Sequence, residues 1–209
     1  MNTKDKFVIT INRQFGTGGH EVGAELASRL NVKILDRQIL KAVAEHFDAD
    51  EAATEKLNAR NISWRDDFSA FYQQYVAEHE YRGSDNDNTS RKLFREQAEV
   101  IRKIAAHESC IIIGRCAFDI FKDHPNALKI FIHSPMEVRI RRIVEKYGVT
   151  EGDAKLMIVD NDCTRELYTK TFTGTEWYDA RNYDICLDVS KFGVNGAVDY
   201  IMRLIGENE

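Results

Sequence analysis

Residues 8–30 constrain the fold most tightly. An apolar, β-branched run, Val8-Ile9-Thr10-Ile11, gives way to Asn12-Arg13-Gln14-Phe15 and then to a glycine-rich turn, Gly16-Thr17-Gly18-Gly19-His20. A helical pattern follows, with Val22, Leu26 and Leu30 at four-residue intervals and therefore on one face. A buried strand, a glycine turn and an amphipathic helix, in that order, form the arrangement that holds phosphate. Glycines let backbone N–H groups approach an anion, and the first helical turn carries the positive end of the helix dipole. A Walker A loop would add a lysine for the β- and γ-phosphates and a hydroxyl for Mg²⁺. Here Gly19 and His20 stand at those two positions, and Arg13 stands where the first glycine would be. The backbone cradle is kept while both side-chain tools are lost. As a bare pattern, Gly-x-Gly-Gly also suits a tight strand–helix turn that binds nothing.

Further apolar, β-rich runs at 32–35, 110–113 and 128–132 join the first at 7–11, with a possible fifth at 183–189. Helical patterns separate them, which predicts a mainly parallel sheet with right-handed crossovers. Ligands of such sheets bind beyond the carboxyl ends of the strands. The glycine loop, Asp36-Arg37 and Gly114-Arg115 would gather there. The stretch between Asp36 and Glu108 reads as helical, broken near 58–63 and again by a polar run at 82–90 that reads as a loop. Trp64, Phe68, Phe71, Tyr72 and Tyr75 recur at helical spacing between those breaks and suit a packed stripe, or base stacking by one of them.

A chain of 209 residues is long enough to bury a core without disulfides or metal staples. One domain over 1–209 is expected, with a helical insertion at 37–108 and a lid at 136–170. The net charge of −5 argues against a nucleic-acid partner, which needs a strongly basic face. No apolar run reaches membrane-spanning length, the polar N-terminus lacks a secretory h-region, and the four cysteines show no C-x-x-C spacing. These features point to a cytoplasmic protein with reduced thiols and no membrane partner; oligomeric state leaves no signal. The six histidines lack metal-ligand spacing, no residue is assigned to a metal, and no Ser-His-Asp order with a nucleophile elbow occurs.

Arginines carry the remaining signal. The run Cys110-Ile111-Ile112-Ile113 ends at Gly114-Arg115, so Arg115 would project over the ligand edge of the sheet. Arg139, Arg141 and Arg142 precede Lys146, and Arg165 follows in Asp160-Asn161-Asp162-Cys163-Thr164-Arg165. Guanidinium forks donate paired hydrogen bonds to phosphate and stay charged at any working pH. Phosphoryl transfer needs positioning and charge neutralisation above all, which convergent arginines supply. A solvated helix face laced with salt bridges is the bland alternative for Arg141.

Together these segments resemble the cytidylate kinase-like family of P-loop nucleoside monophosphate kinases over nearly the whole chain. The resemblance rests on Ile11-Asn12-Arg13-Gln14-Phe15-Gly16-Thr17-Gly18-Gly19-His20-Glu21-Val22-Gly23, Leu35-Asp36-Arg37, Ile113-Gly114-Arg115, and Asn126-Ala127-Leu128-Lys129-Ile130-Phe131-Ile132 followed by the arginines at 139–142. It implies a P-loop NTPase-like three-layer α/β sandwich. It further implies ATP and Mg²⁺ as cofactors, with Gly16, Thr17, Gly18, Gly19 and His20 forming the donor-phosphate cradle. Asp36, Arg37, Arg115, Asp162 and Asp188 would bind the acceptor. Arg142 would serve the lid, and Arg165 would join it in catalysis. True cytidylate kinases differ at three points, because this chain has Gly19 for the loop lysine, His20 for the Mg²⁺-binding hydroxyl and Cys116 for the Asp after Gly-Arg. Arg13 would then replace the lysine charge from the other side.

The expected activity is ATP-dependent phosphoryl transfer to a small phosphorylated acceptor, with CMP as the first candidate. The rival reading is a nucleotide-binding module that keeps the cradle without turnover. A dinucleotide-binding Rossmann domain is the third, since Asp36 closes the second strand at about the distance of a ribose-binding acid. That reading lacks the third glycine, whose place Glu21 takes.

Overall fold

The computed structural model of the chain describes residues 1–35 and 86–206. Five strands and six helices are ordered among them: β1 (Val8–Arg13), α1 (Gly19–Leu30), β2 (Lys33–Leu35), α2 (Asn86–His107), β3 (Cys110–Ile113), α3 (Ala117–Ile120), β4 (Ala127–His133), α4 (Met136–Tyr147), α5 (Glu151–Thr173), β5 (Ile185–Asp188) and α6 (Val189–Gly206). A short 3₁₀ turn, Ala180–Asn182, precedes β5. The chain divides into two compact units, Met1–Asp36 with Arg102–Glu209, and Arg37–Ile101. The sheet and the site described below belong to the first. Of the second, only residues 86–101 are described, and all of them lie in α2.

The five strands form one sheet in the order β2-β3-β1-β4-β5, and every pairing is parallel. A parallel sheet is covered on both faces, so its strands read as continuous apolar runs. Accordingly, Val8, Ile9 and Ile11 of β1 and all four residues of β3 are buried. Ile9, Ile11, Ile111, Ile113, Ile130 and Ile132 point to one face and pack against Val22 and Leu26 of α1 and Val198 and Ile201 of α6. Phe131 points to the other face and meets Trp177 and Tyr183 at ring separations of 5.4 and 5.0 Å, with Phe118 packed on Tyr183. The result is an α/β/α three-layer sandwich.

The strands expected from the apolar runs are present with small changes of boundary. β4 extends to Ala127 and His133, and the fifth run shortens to Ile185–Asp188 because Tyr183 closes the 3₁₀ turn and Val189 opens α6. The loop expected at 82–90 is a misreading from residue 86 onward, since α2 begins at Asn86. Asn, Asp, Ser and Thr are turn formers that also start helices, and the apolar spacing further along carries the helix through them. The aromatic stripe from Trp64 to Tyr75, Asp36, Arg37 and most of the 37–108 insertion lie outside the described residues.

The strand order also argues against the Rossmann reading. A dinucleotide fold runs 3-2-1-4-5-6 and sets β2 beside β1. Here β3 takes that place, with Val8 paired to Cys110 and Ile11 to Ile113.

Candidate active site

Three loops meet at the carboxyl edge of the sheet. β1 ends at Arg13, and the chain turns through Gly16 (φ 82°) and Gly18 (φ 83°) into α1. Both glycines sit in the left-handed region that side chains avoid, and both are crowded by arginines. A Cβ on Gly16 would lie 3.2 Å from Cβ and the carbonyl oxygen of Arg139, and one on Gly18 would lie 2.7 Å from the Arg142 guanidinium carbon. The loop is therefore flattened against α4.

Local hydrogen bonds set its shape. Thr17 Oγ1 donates to the Gln14 carbonyl at 2.9 Å and accepts from Gly19 N–H at 3.3 Å. Gln14 N–H donates to the Ile132 carbonyl, and Phe15 N–H donates to Asp162 Oδ1 at 2.7 Å. Among the described residues, no protein acceptor meets the N–H groups of Gly16, Thr17 and Gly18. Consecutive backbone donors ahead of a helix N-terminus are what an anion binds. His20, the second residue of α1, is exposed.

Arg13 threads between two glycines. A Cβ on Gly19 would lie 2.6 Å from Arg13 Cβ, and one on Gly114 would lie 2.7 Å from Arg13 Nη1. Both positions are thus kept bare by the arginine that crosses them, its stem at the phosphate loop and its guanidinium at the end of β3. From Gly114 the chain runs through three successive left-handed residues, Gly114 (φ 74°), Arg115 (φ 57°) and Cys116 (φ 52°). Ala117 N–H closes this turn on the Gly114 carbonyl at 3.0 Å. Two non-glycine residues in that region store about 1–2 kcal/mol each, strain of the kind that clusters at ligand sites. Burial pushes the Cys116 thiol up to about 12, so it is a neutral packing group against Thr169.

Helix α4 presents charge on two faces. Arg139 is buried beside Ile143. Its Nη1 donates to Asp162 Oδ2 at 2.5 Å and to the Phe15 carbonyl at 3.3 Å. Arg142 and Lys146, four residues apart, both reach Glu21 Oε1, at 3.1 and 3.3 Å. Burial raises the Glu21 pKa, but its own N–H and the two cations outweigh that and hold the carboxyl below the usual range. Glu21 is therefore the partner of Arg142 and Lys146.

Helix α5 starts at a Thr150 cap, whose side chain accepts from Asp153 N–H, and its buried stripe includes Ala154, Ile158, Asp162 and Thr169. Arg165 lies in the same stripe and donates from Nη1 to the Arg13 carbonyl at 2.9 Å, with its guanidinium 5.7 Å from the Phe15 ring centre. Burial, with Arg13 adding to it, pushes Arg165 down to about 9, which leaves it cationic at neutral pH. Asp188 ends β5 opposite His133 and accepts from Ser190 N–H at 2.9 Å. With β4 between β5 and β1, it sits about 10 Å from the loop strand. The structure thus gathers Arg13, Gly16, Thr17, Gly18, Gly19, Arg142, Asp162 and Arg165, sets Arg115 next to them, and leaves Asp188 further along the edge. Arg139 and Glu21 were the residues whose parts the sequence did not disclose. The four-residue spacing of Arg139 to buried Ile143, and of Arg142 to Lys146, was the available signal.

A parallel sheet in this order, with a glycine loop leading from its central strand into a helix and arginines around that loop, defines a P-loop kinase-type fold. The chain belongs to the cytidylate kinase-like family, whose profile matches residues 8–191. It is 26% identical to a cytidylate kinase from Pyrococcus horikoshii over 97% of this chain and 90% of that one. Against a cytidylate kinase from Methanosarcina barkeri it is 30% identical over 51% of this chain, and the match spans only 58% of that relative. The crystal structure of an uncharacterized protein from Eubacterium ventriosum superposes with a TM-score of 0.72 at 27% identity, covering 97% and 99% of the two chains. A shikimate kinase from Acinetobacter baumannii shares the fold, with a TM-score of 0.51 at 13% identity over 97% and 94%. Among the described residues, no helix is long and apolar enough to cross a membrane.

Proposed function

We propose that the protein transfers the γ-phosphoryl group of ATP to a small phosphorylated acceptor, with CMP the first acceptor to test. The placement of Arg13 carries this reading. Its stem crosses Gly19 of the loop and its guanidinium reaches Gly114 at the end of β3, a permanent cation at this edge of the sheet. In phosphoryl transfer the protein's task is to position the phosphates and neutralise their charge. Backbone donors of Gly16, Thr17 and Gly18 would cradle the donor phosphates, Arg13 would cover them, and Arg142 would leave Glu21 for the transferring group. Arg115, in the strained turn after β3, would hold the acceptor together with Asp188; Asp36 and Arg37, which the resemblance adds, lie outside the described residues.

ATP fits this loop, whose glycines and cations suit a polyanion. Mg²⁺ fits as a companion of the nucleotide. Among the described residues no group of three carboxylate, histidine or cysteine side chains could hold a metal, and Mg²⁺ bound mainly through substrate phosphates and water needs no such cage. When bound, it would spread the charge of the phosphates. The four free cysteines support a reducing cytoplasmic setting, and the net charge supports small-anion rather than nucleic-acid partners.

A second reading has a specific observation behind it. Gly19 and His20 lack the lysine and hydroxyl of a working Walker loop, which suits a nucleotide-binding module without turnover. A product assay with ATP, Mg²⁺ and a panel of monophosphates, run beside calorimetric binding of ATP and CMP, separates the two. Nucleoside diphosphate product supports the kinase, binding without product supports the module, and folded protein that binds neither nucleotide rejects both.

A further inference from the structure

We propose that Asp162 is a positioning residue that clamps the start of the phosphate loop onto α5, and that it does not bind the acceptor. The inference rests on the phosphate-site reading above and departs from the acceptor-binding role that the family resemblance implies for Asp162.

The backbone between β1 and Gly16 is held almost atom by atom. The Arg13 carbonyl accepts from Arg165, Gln14 N–H donates to Ile132, Phe15 N–H donates to Asp162, and the Phe15 carbonyl accepts from Arg139. Asp162 is the centre of this set. One carboxylate oxygen takes Phe15 N–H at 2.7 Å and lies 3.5 Å from Arg165 Nη1, and the other takes Arg139 Nη1 at 2.5 Å. Its side chain is 8% exposed and that of Arg139 is 6% exposed. A buried carboxylate with both oxygens engaged by protein has no free face for a ribose or a base. Its charge is instead spent on fixing two arginines, each of which grips the loop backbone, while Arg139 also packs against Gly16.

The consequence is specific to one substrate. The loop carries donor phosphate, so loosening it moves the donor N–H groups and Arg13. Misplacement by about 1 Å costs on the order of a hundredfold in an oriented site. Among the described residues Asp162 bonds to no part of the turn after β3, where the acceptor side is proposed.

The test is Asp162→Asn, which keeps the size and an oxygen for Phe15 N–H but removes the charge that holds the arginines. Arg165→Lys is the second variant, retaining a cation while losing the fork, in case the first does not fold. Calorimetry with inorganic tripolyphosphate as donor probe and CMP as acceptor probe, on protein whose folding is checked by thermal melting, should give about a hundredfold weaker tripolyphosphate binding with CMP affinity within about twofold of wild type. Amide exchange at Gln14 and Phe15, whose N–H groups are hydrogen-bonded at the clamp, should quicken at least about tenfold in the same variant, a readout that needs no ligand. Weakened CMP binding with tripolyphosphate binding retained would overturn the clamp and return Asp162 to the acceptor, and unchanged binding and exchange in a folded variant would overturn it outright. Wild-type protein that binds neither probe would reject the nucleotide reading, and the exchange measurement would then decide the clamp by itself.

Discussion

At the scale of single residues, Arg13 and Gly19 exclude alternatives to one another. Gly19 is glycine because of its neighbour, since a Cβ there would meet Arg13 Cβ at 2.6 Å and Cγ at 2.8 Å. On this backbone a Walker lysine at 19 cannot coexist with a side chain at 13. If Arg13 supplies the lysine's charge, Arg13→Ala should cut turnover or nucleotide affinity by two or more orders of magnitude in folded protein. Arg13→Lys should restore part of it, because lysine keeps the charge and loses the fork. Wild-type kinetics in the alanine variant would remove Arg13 from the mechanism. The steric half of the claim is separable. Gly19→Ala should cost about 1–3 kcal/mol by overpacking in the wild-type background, and little or nothing once Arg13 is glycine, which alone removes the Cβ it would meet. Chemical denaturation of the four proteins of that cycle reads the coupling, and additivity would show that the two side chains do not compete for space.

At the scale of elements, α4 and α5 form a hairpin whose base is fixed and whose tip is free to differ. Arg139, Asp162 and Arg165 tie the base to the phosphate loop, while the tip turns at Gly148 and restarts at the Thr150 cap. Nucleotide-dependent change within residues 136–170 should therefore concentrate near residues 144–156. Exchange mass spectrometry with and without ATP checks this, and equal changes across Arg139 and Asp162 would contradict a fixed base. The two ion pairs of α4 should also differ sharply in worth. Arg139→Ala leaves the buried Asp162 carboxylate with Phe15 N–H and a 3.5 Å contact to Arg165, and should cost about 3–5 kcal/mol. Glu21→Gln breaks half-exposed pairs and should cost at most about 1 kcal/mol. The Glu21 carboxyl titrates below its ordinary value when folded, so its contribution is present above about pH 4.5 and is lost as pH falls through the folded value. Comparing acid titrations of wild type and Glu21→Gln should show the two stabilities converging as the pH falls below the folded Glu21 value.

At the scale of the whole molecule, the layers were legible and the wiring was not. Cys110-Ile111-Ile112-Ile113 reads as a strand because a sheet covered on both faces demands an unbroken apolar run. Nothing local in that run says that it lies against β1 on one side and β2 on the other. The candidate site divides the same way. Gly16 and Gly18 announce a turn and a close approach, since only a residue without Cβ fits there. The clamp on Phe15 comes from Asp162, 147 residues away, and the Asp-x-x-Arg spacing of α5 shows a charged pair without its target. The polar run at 82–90 misled because the residues that end a helix pattern are also those that begin one. The strand order carries a further consequence, for synthesis. β1 is made first and lies in the middle, but both of its neighbours arrive much later, with Val8 waiting for Cys110 and for Ala127. At about 5–20 residues per second, this apolar strand spends on the order of ten seconds on the ribosome before either edge can be covered. Such a strand is a template for the wrong partner, so chaperones that shield nascent chains should raise the yield of folded protein far more than any stabilising substitution in the finished fold.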